Sequence, residues 1–497
     1  MKKITLSFPV VIIISLVIQT FGLLRSLFLS KYFGANAVLD AFYLANIFTV
    51  SVFSIISSTI TTIAIPELNA NVDEKVKSKN INSYLSLITI ISISISIILF
   101  LFLFFTKNIF LPSFSSQIRE LFLVITILLL VSQQFRIQSS FSIAFFQNKG
   151  HYIIPRVMDI IPALVPVIYL LISKKPDIIV LSFSLAISYI IETLILHYIQ
   201  GKIDHNYSIK LHVVFNAYLK TMMKRTVPIF LSSAVFQVQI IISNYFAGYF
   251  GAGYITLLSN TNQVIGIFQS LFILNLINMI YPKLVREIKK DLKLGIGKMV
   301  NYINLTNFLV VLLVWGYIAI GHDLVNLMFV RGKFTIANAD VVYNFSIILG
   351  IVLPFTVIRD YHYRLYYSMN NTLKPMINSI QTVIFNISIL VIGSFIVHSY
   401  IIVLAPAIGT IWSCFNIIFK AHKDNIKTDV KKMALGYLIS NLFGVSMYLV
   451  ILEFQYNSSI LAVNIMVNVL IGVMYILVVL SILYVLYKMW GKIKKVM

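Results

Sequence analysis

The sequence predicts an all-α polytopic membrane protein with about 14 transmembrane helices, in two six-helix lobes and two trailing helices. Hydrophobic residues make up 59% of its 497 residues and charged residues only 11%, with a mean hydropathy of +0.92. This composition is far from that of a soluble domain. Apolar runs of roughly 20 residues, enough to cross ~30 Å of hydrocarbon, recur between short polar joints. An internal repeat divides these runs into two similar halves.

The repeat is visible in a short motif and in the helix that follows it. Residues 32–35 read Tyr-Phe-Gly-Ala and precede an apolar run that ends with Ile-Pro-Glu-Leu at 65–68. Residues 249–252 repeat Tyr-Phe-Gly-Ala, and the run after them ends with Tyr-Pro-Lys-Leu at 281–284. Repeats of this size in an apolar chain are typical of secondary transporters.

The apolar runs give the expected elements in chain order. We expect spans near residues 4–30, 39–66, 81–106, 117–147, 152–173, 177–199, 224–249, 254–282, 299–320, 336–368, 375–396, 400–420, 433–453 and 459–487. The expected regions are an N-lobe at 1–200 (helices 1–6), an amphipathic cytoplasmic connector at 201–223, a C-lobe at 224–421 (helices 7–12), helices 13 and 14 at 432–488, and a basic cytoplasmic tail at 489–497.

The basic residues predict the orientation of the chain. Most of the 39 lysines and arginines fall in alternate joints, which short cytoplasmic loops favour, so both termini are expected in the cytoplasm. The net charge of +22 is dispersed over these joints beside anionic headgroups and is not gathered on a soluble domain. The distribution therefore argues against nucleic acid as a partner.

Motifs for catalysis and metal binding are missing from the sequence. It has no P-loop, no His-Glu-x-x-His, no cysteine cluster and no Asp-x-Asp pair. Its one cysteine, Cys414, cannot form an intramolecular disulfide. We therefore expect no enzyme, no catalytic residue, no metal and no cofactor.

Several motifs, in register, resemble one transporter family. Residues 21–25 (Phe-Gly-Leu-Leu-Arg), 33–35 (Phe-Gly-Ala), 40–42 (Asp-Ala-Phe) and 45–46 (Ala-Asn) resemble the first two helices of the MurJ (MviN) lipid II flippases of the MOP superfamily. Residues 331–335 (Arg-Gly-Lys-Phe-Thr) are similar to that family's loop before the tenth helix. The resemblance implies a MOP-type transporter fold.

The resemblance also implies a function, namely export of a polyprenyl diphosphate that carries sugars and peptide, with the headgroup in a cavity between the lobes. A desolvated diphosphate needs charge-assisted donors, and arginine offers them. We therefore expect Arg25 to bind substrate, and Asp40, Asn46 and Ser54 to belong to the same substrate-binding site. The alternative is that Arg25 pairs with Asp40 or extends to the outer interface.

Three of the family's cationic positions are neutral in this chain. They fall on Gln19, on Thr49 or Val50, and on Gln263. Gln19 and Gln263 can still bond phosphate or sugar hydroxyls and are expected to line the path. The loss of charge favours a different cargo, such as a teichoic, capsular or exopolysaccharide lipid.

Other polar residues within spans leave alternatives open. Arg136 is expected either to face the cavity or to pair with Asp159. The resemblance points to Ser243, Asn386 and Asn416 as possible ion-coupling residues, although none is a carboxylate, the strongest ligand of a hard cation.

Two other functional classes compete with the flippase. They are a multidrug antiporter, which would need more carboxylates in its cavity, and a non-transporting scaffold, which would tolerate loss of Arg25. The expected setting is the bacterial plasma membrane. The expected partners are the bilayer and a lipid-linked saccharide, with cell-wall synthesis enzymes as further candidates, and the expected state is a monomer.

Overall fold

A computed structural model of the chain describes residues 2–69, 73–111, 114–204, 213–369, 371–396, 398–456 and 460–496. The regular structure within these ranges is helical and contains no strand, which confirms the predicted all-α class. Residues 205–212, part of the expected amphipathic connector, lie outside the described residues.

The helices follow one another with short joints. The first nine are α1 (Lys2–Phe33), α2 (Ala37–Leu68), α3 (Glu74–Phe110), α4 (Ser116–Asn148), α5 (Ile153–Met158), α6 (Ile160–Ile172), α7 (Ile178–Ile203), α8 (Ala217–Phe250) and α9 (Tyr254–Phe268). A π-helical segment, Gln269–Leu274, joins α9 to the next helix. The others are α10 (Asn275–Lys290), α11 (Leu292–Phe329), α12 (Ile336–Ile351), α13 (Leu353–Ser368), α14 (Leu373–Ser394), α15 (Ile401–Lys423), α16 (Val430–Glu453) and α17 (Leu461–Val496).

Many of these helices can cross a membrane. Within the described residues, 11 stretches are long and apolar enough, or up to 12 if α12 and α13, bent by 41°, form one span. The expected count of about 14 stays a prediction. The expected span 254–282 is interrupted by the π-helical segment, and α10 ends in the charged residues Arg286, Lys289 and Lys290.

The chain folds into two compact units. One comprises Met1–Ser259 with Arg331–Phe334, and the other comprises Asn260–Val330 with Thr335–Met497. Helix α8 packs against α2 and α3 and therefore belongs to the first unit. The lobe boundaries expected from the sequence remain a prediction.

The first unit is built around α2 and α4. Large side chains such as Phe53, Tyr84 and Phe145 fill its core. Because lipid is as apolar as these side chains, close packing and hydrogen bonds between helices hold such a bundle together. The Thr193 hydroxyl donates to the Phe135 carbonyl (2.9 Å) and thereby holds α7 against α4.

The second unit has its own core around α11, α13 and α15, with Tyr361 and Tyr366 fully buried. Beyond the end of α15, the Asp424 carboxylate accepts hydrogen bonds from Lys374 Nζ (2.8 Å) and from the Tyr366 hydroxyl (2.8 Å). Asp424 thereby links the joint after α15 to α13 and α14. The hydrogen bond from Lys374 lowers the pKa of Asp424 below its ordinary value.

This lowered pKa predicts an acid-sensitive contribution to stability. A carboxyl group whose pKa is lower in the folded chain stabilises the fold above its unfolded pKa of about 3.9, and the contribution is lost as the pH falls through the folded value. We expect Asp424→Asn to lower the thermal unfolding midpoint near neutral pH and to differ less from wild type below about pH 4. A difference that is the same at both pH values would contradict this role.

The repeated motif and the Arg-Gly-Lys-Phe loop meet through backbone atoms in the first unit. The Lys333 amide donates to the Lys31 carbonyl (2.9 Å). Gly34 has φ +73°, and a Cβ there would lie 2.7 Å from the Lys333 carbonyl oxygen. Gly253 has φ +98°, and a Cβ there would lie 2.9 Å from the Ala35 carbonyl oxygen. Both the left-handed backbone and the close approach therefore require glycine.

A pair of alanine substitutions separates these two requirements. Gly150 also has a positive φ (+79°), but a Cβ there meets nothing within 4 Å. Gly150→Ala should therefore cost only the backbone strain of about 1–2 kcal/mol. Gly253→Ala adds a clash with the Ala35 carbonyl and should lower the thermal unfolding midpoint further. Equal midpoints for the two variants would show that the close approach does not matter.

Candidate functional site

The first unit contains a cavity of about 710 Å³. Helices α1, α2, α4, α5, α6 and α7 contribute to its wall, and Gly22 lies on the α1 side. Its polar lining residues are Arg25, Ser54, Ser57, Ser58, Thr61, Arg136, Ser139, Ser140, Gln147, Tyr152, Arg156, Asp159, Tyr189 and Glu192. The cavity is therefore polar although the helices around it are apolar overall.

Helical spacing produces two of its polar faces. On α2, hydroxyl residues share one face of the helix at positions 54, 57, 58 and 61. On α4, an arginine at 136, serines at 139 and 140 and a glutamine at 147 also share one face. The Ser58 hydroxyl donates to the Ile55 carbonyl (2.9 Å), so it remains an acceptor toward the cavity. The buried Ser57 hydroxyl has no hydrogen-bond partner among the residues that the structure describes. These groups suit a ligand that is rich in hydroxyls.

Three arginines bring positive charge to the cavity. Arg25 and Arg136 are half-buried, and the Arg136 guanidinium lies 5.6 Å from the centre of the Tyr189 ring. Arg156 donates to Asp159 (3.1 Å). Within the described part of the chain, neither Arg25 nor Arg136 forms a direct ion pair, although Arg136 lies close to Asp159. Both guanidinium groups remain available to an anion.

Two carboxyl groups complete the charged lining. Asp159 lies at the junction of α5 and α6, and Glu192 lies on α7 with only 3% of its surface exposed. The two carboxyl groups face each other within hydrogen-bonding reach, and Arg136 is close to both. The three arginines therefore exceed the acidic groups in the cavity by one.

The expected binding residues divide into two groups. Arg25, Ser54 and Arg136 line the cavity together. Gln19 is exposed, and Asn46 and Gln263 are half-buried, but they are not among the residues that line it.

Asp40, on α2, is fully buried beside the start of α9 and is not among the residues that line the cavity. Its carboxylate accepts hydrogen bonds from the Gly253 amide, from the Thr256 amide (2.8 Å) and from the Thr256 hydroxyl (2.6 Å). These donors occupy the group that we expected to contact substrate. A role of Asp40 in binding stays untested, while its role as a helix cap is visible in the geometry.

The expected ion-coupling residues have different surroundings. Ser243 is half-buried on α8. Asn386 is 5% exposed, and its side-chain oxygen has no partner. The Asn416 amide donates to the side-chain oxygens of Asn378 (2.7 Å) and Gln381 (3.0 Å). In the part of the chain that the structure describes, no group of three or more His, Cys, Asp or Glu residues could hold a metal.

Sequence reasoning missed part of the cavity. Arg156, Tyr189 and Glu192 were not among the expected binding residues, yet all three line it. A signal was present on α4, where Ser139, Ser140 and Gln147 share a helical face with Arg136. The signal on α5 was weaker, because single charged residues near helix ends, such as Arg156, usually lie at the interface.

The comparison with protein families decides the affiliation of the chain. The family described as "MurJ: Lipid II flippase MurJ" matches residues 29–467. The chain belongs to this family. MurJ proteins are transporters and not catalysts, in agreement with the expected absence of enzymatic motifs. No curated protein matches the chain in a sequence comparison.

Solved structures show the same fold. A lipid II flippase MurJ in an inward closed conformation is similar with a TM-score of 0.82 and 19% identity, covering 96% of this chain and 98% of that one. A multidrug resistance MATE transporter of the MOP superfamily, in an inward-facing conformation, gives 0.64 with 11% identity, covering 86% and 95%. A MATE transporter from Vibrio cholerae gives 0.56 with 11% identity, covering 86% and 98%. The chain is thus a multi-pass membrane protein with a MurJ fold that is also similar to MATE transporters.

Proposed function

We propose that this MurJ-family chain is a flippase that moves a polyprenyl-diphosphate-linked cell-wall precursor, of the lipid II type, from the inner to the outer leaflet by alternating access. The cavity that joins Arg25 and Arg136 to the hydroxyl-rich faces of α2 and α4 carries this proposal. Arginine forks bind a desolvated diphosphate through charge-assisted hydrogen bonds. The serine, threonine and glutamine groups bond sugar hydroxyls.

A second cavity suits the lipid part of such a substrate. It lies in the second unit, has a volume of about 590 Å³, and is lined mainly by apolar side chains of α11, α16 and α17, including Leu309, Leu313, Met447 and Ile476. A polyprenyl chain gains from burial beside such side chains at about 25 cal/mol per Å². The apolar lining of this cavity matches the chemistry of the polyprenyl half of a lipid-linked saccharide.

The headgroup remains open within this class. The serine and threonine hydroxyls that line the cavity favour a sugar-dominated headgroup such as a teichoic, capsular or exopolysaccharide unit. An antiporter of organic cations is less consistent with the cavity, because the arginines that line the cavity outnumber the carboxyl groups there. The membrane potential, at ~2.3 kcal/mol per charge per 100 mV, can drive movement of a charged substrate.

The setting that we propose is the bacterial plasma membrane, with both termini in the cytoplasm. The chain acts as a monomer, and the enzymes that make and consume the precursor are its functional neighbours. The distribution of basic residues supports the proposed orientation, and the family supports the membrane setting.

Depletion of the protein, followed by lipid analysis of each leaflet, tests the function. We expect a polyprenyl-linked saccharide to accumulate in the inner leaflet, and its headgroup would name the cargo. Unchanged leaflet distributions of all such lipids after depletion would reject the flippase and leave the scaffold.

A substitution that fills the cavity tests its use. A Cβ on Gly22 meets nothing within 4 Å, and Gly22 lines the cavity. Gly22→Phe should therefore fold normally and reduce transport roughly tenfold or more, since crowding of a filled site costs ~1–3 kcal/mol. Gly297→Phe is the matched control, because Gly297 is an exposed helical glycine with equally open space on α11. Equal transport by the two variants would show that substrate does not use this cavity.

A further inference from the structure

Glu192 is a buried acid that has no directly bonded basic partner among the described residues, although Arg136 lies close to it. It is 3% exposed, it lines the cavity, and it forms no ion pair within the described residues. Its nearest acidic neighbour is Asp159, whose carboxyl group faces it within hydrogen-bonding reach. Two carboxylates in contact, with little water around them, repel each other strongly, so such pairs favour one shared proton.

The surrounding charges decide which acid of the pair takes up the proton. Asp159 is held by the Arg156 guanidinium on α5 at 3.1 Å, which favours its ionised form. Arg136 on α4 is close to both acids, and the face of the Tyr189 ring on α7 holds it. Arg25 on α1 lines the same cavity. Glu192 therefore has the weaker cationic support of the two acids.

We propose that Glu192 and Asp159 form a proton-binding site that controls the anion affinity of Arg136. A proton from water binds to a Glu192 carboxyl oxygen and is shared with Asp159 by a hydrogen bond. The cavity then gains one positive charge, and Arg136 is free to bind phosphate. Release of the proton restores the Glu192 carboxylate, which attracts Arg136 and repels an anion. This inference rests on the proposed function. It adds a proton-binding site to the cavity that is proposed to hold the substrate.

Linkage makes the proposal measurable. If protonation of the pair strengthens anion binding, then anion binding must strengthen proton uptake by the same factor. Typical coupling between two sites of this kind is roughly 5-fold to 150-fold. The chain should therefore take up a fraction of one proton when a diphosphate binds, at pH values between those at which Glu192 titrates in the free and in the bound chain.

Titration calorimetry with farnesyl diphosphate tests this linkage on the full chain in lipid nanodiscs. The affinity is measured from about pH 5 to about pH 10, a range that includes the values of ~8–9 at which buried glutamates can titrate, in buffers of different ionisation enthalpy, for wild type and Glu192→Gln. Because the probe itself titrates, the ratio of the two affinities at each pH is the readout. Glutamine mimics the protonated acid, so we expect wild type to match it at low pH and to bind roughly fivefold more weakly, or worse, at high pH.

A nearby histidine provides the control. His197 lies on α7 beyond Glu192, is bonded through Nδ1 to the Thr193 carbonyl (2.9 Å), and is not among the residues that line the cavity. His197→Gln should keep the pH dependence of wild type. If His197→Gln loses this dependence and Glu192→Gln keeps it, the proposal is wrong.

An infrared pH titration of the protein without probe makes the test independent of the substrate. We expect a protonated carboxyl band that disappears with rising pH and is missing in Glu192→Gln. Its absence from wild type throughout the range would overturn the proton site. If the probe fails to bind wild type at any pH, the proposed diphosphate function fails, and the infrared band still decides the proton site.

Discussion

Replacement of Arg25 by alanine is expected to abolish most transport without unfolding the chain. Arg25 is half-buried within a span and lines the cavity without an ion pair in the described residues. A central arginine costs ~2.5 kcal/mol or more to insert, so its position must be compensated by water or by a ligand. Each charge-assisted hydrogen bond to phosphate contributes ~1.5–3 kcal/mol, so its loss should weaken binding roughly ten- to hundredfold.

Transport of a labelled polyprenyl-diphosphate saccharide in vesicles measures this effect. Arg25→Lys keeps the charge but loses the planar fork, and should fall between wild type and Arg25→Ala. Arg286→Ala removes an exposed arginine of α10 and should transport normally. If Arg25→Ala transports like Arg286→Ala at equal expression, Arg25 has no part in binding, and the flippase proposal loses its main anion ligand.

The positions of most helices follow from apolar run length, but their interruptions do not. The expected span 336–368 is bent by 41° where α12 meets α13, and Pro354 gives a sequence signal there. The expected span 254–282 contains the π-helical segment Gln269–Leu274, which has no proline. Such a segment depends on packing, so composition does not reveal it.

The sequence singled out cavity residues whose charge alone is costly within a membrane span. It did not single out residues whose place in the cavity depends on contacts with distant parts of the chain. Arg25 and Arg136 could be singled out because charge within a span is expensive without a function. The pairing of Glu192 with Asp159 depends on how α7 and α5 are rotated about their axes, which the sequence does not state. The donors to Asp40 lie 213 and 216 residues further along the chain.

That distance matches the internal repeat and points to a structural role of Asp40. The proline of the first copy, Pro66, and that of the second, Pro282, are also 216 residues apart. Thr256 therefore stands near the position in the second copy that Asp40 holds in the first. Gly253 precedes the first residue of α9, and a glycine has no side chain with which to cap a helix. Asp40 supplies that cap from α2.

Asp40→Ala should consequently destabilise the chain more than loss of an ordinary cap. It leaves buried donors of Gly253 and Thr256 unpaired, at ~1–3 kcal/mol for each, and removes a negative charge that the N-terminus of α9 favours. Asp177→Ala is the matched control, since Asp177 caps α7 through the amides of Ile179 (2.7 Å) and Val180 (3.2 Å) but is exposed. Water can replace that cap, so its loss should cost about 1 kcal/mol or less.

Thermal unfolding of the purified variants, measured beside transport, separates a structural role of Asp40 from a binding role. A cap predicts a lower unfolding midpoint for Asp40→Ala than for Asp177→Ala, with transport falling in proportion to the folded protein. A binding residue predicts an unchanged midpoint with transport lost. The second result would reinstate Asp40 as a substrate contact and would require its carboxylate to leave the donors of α9 during the transport cycle.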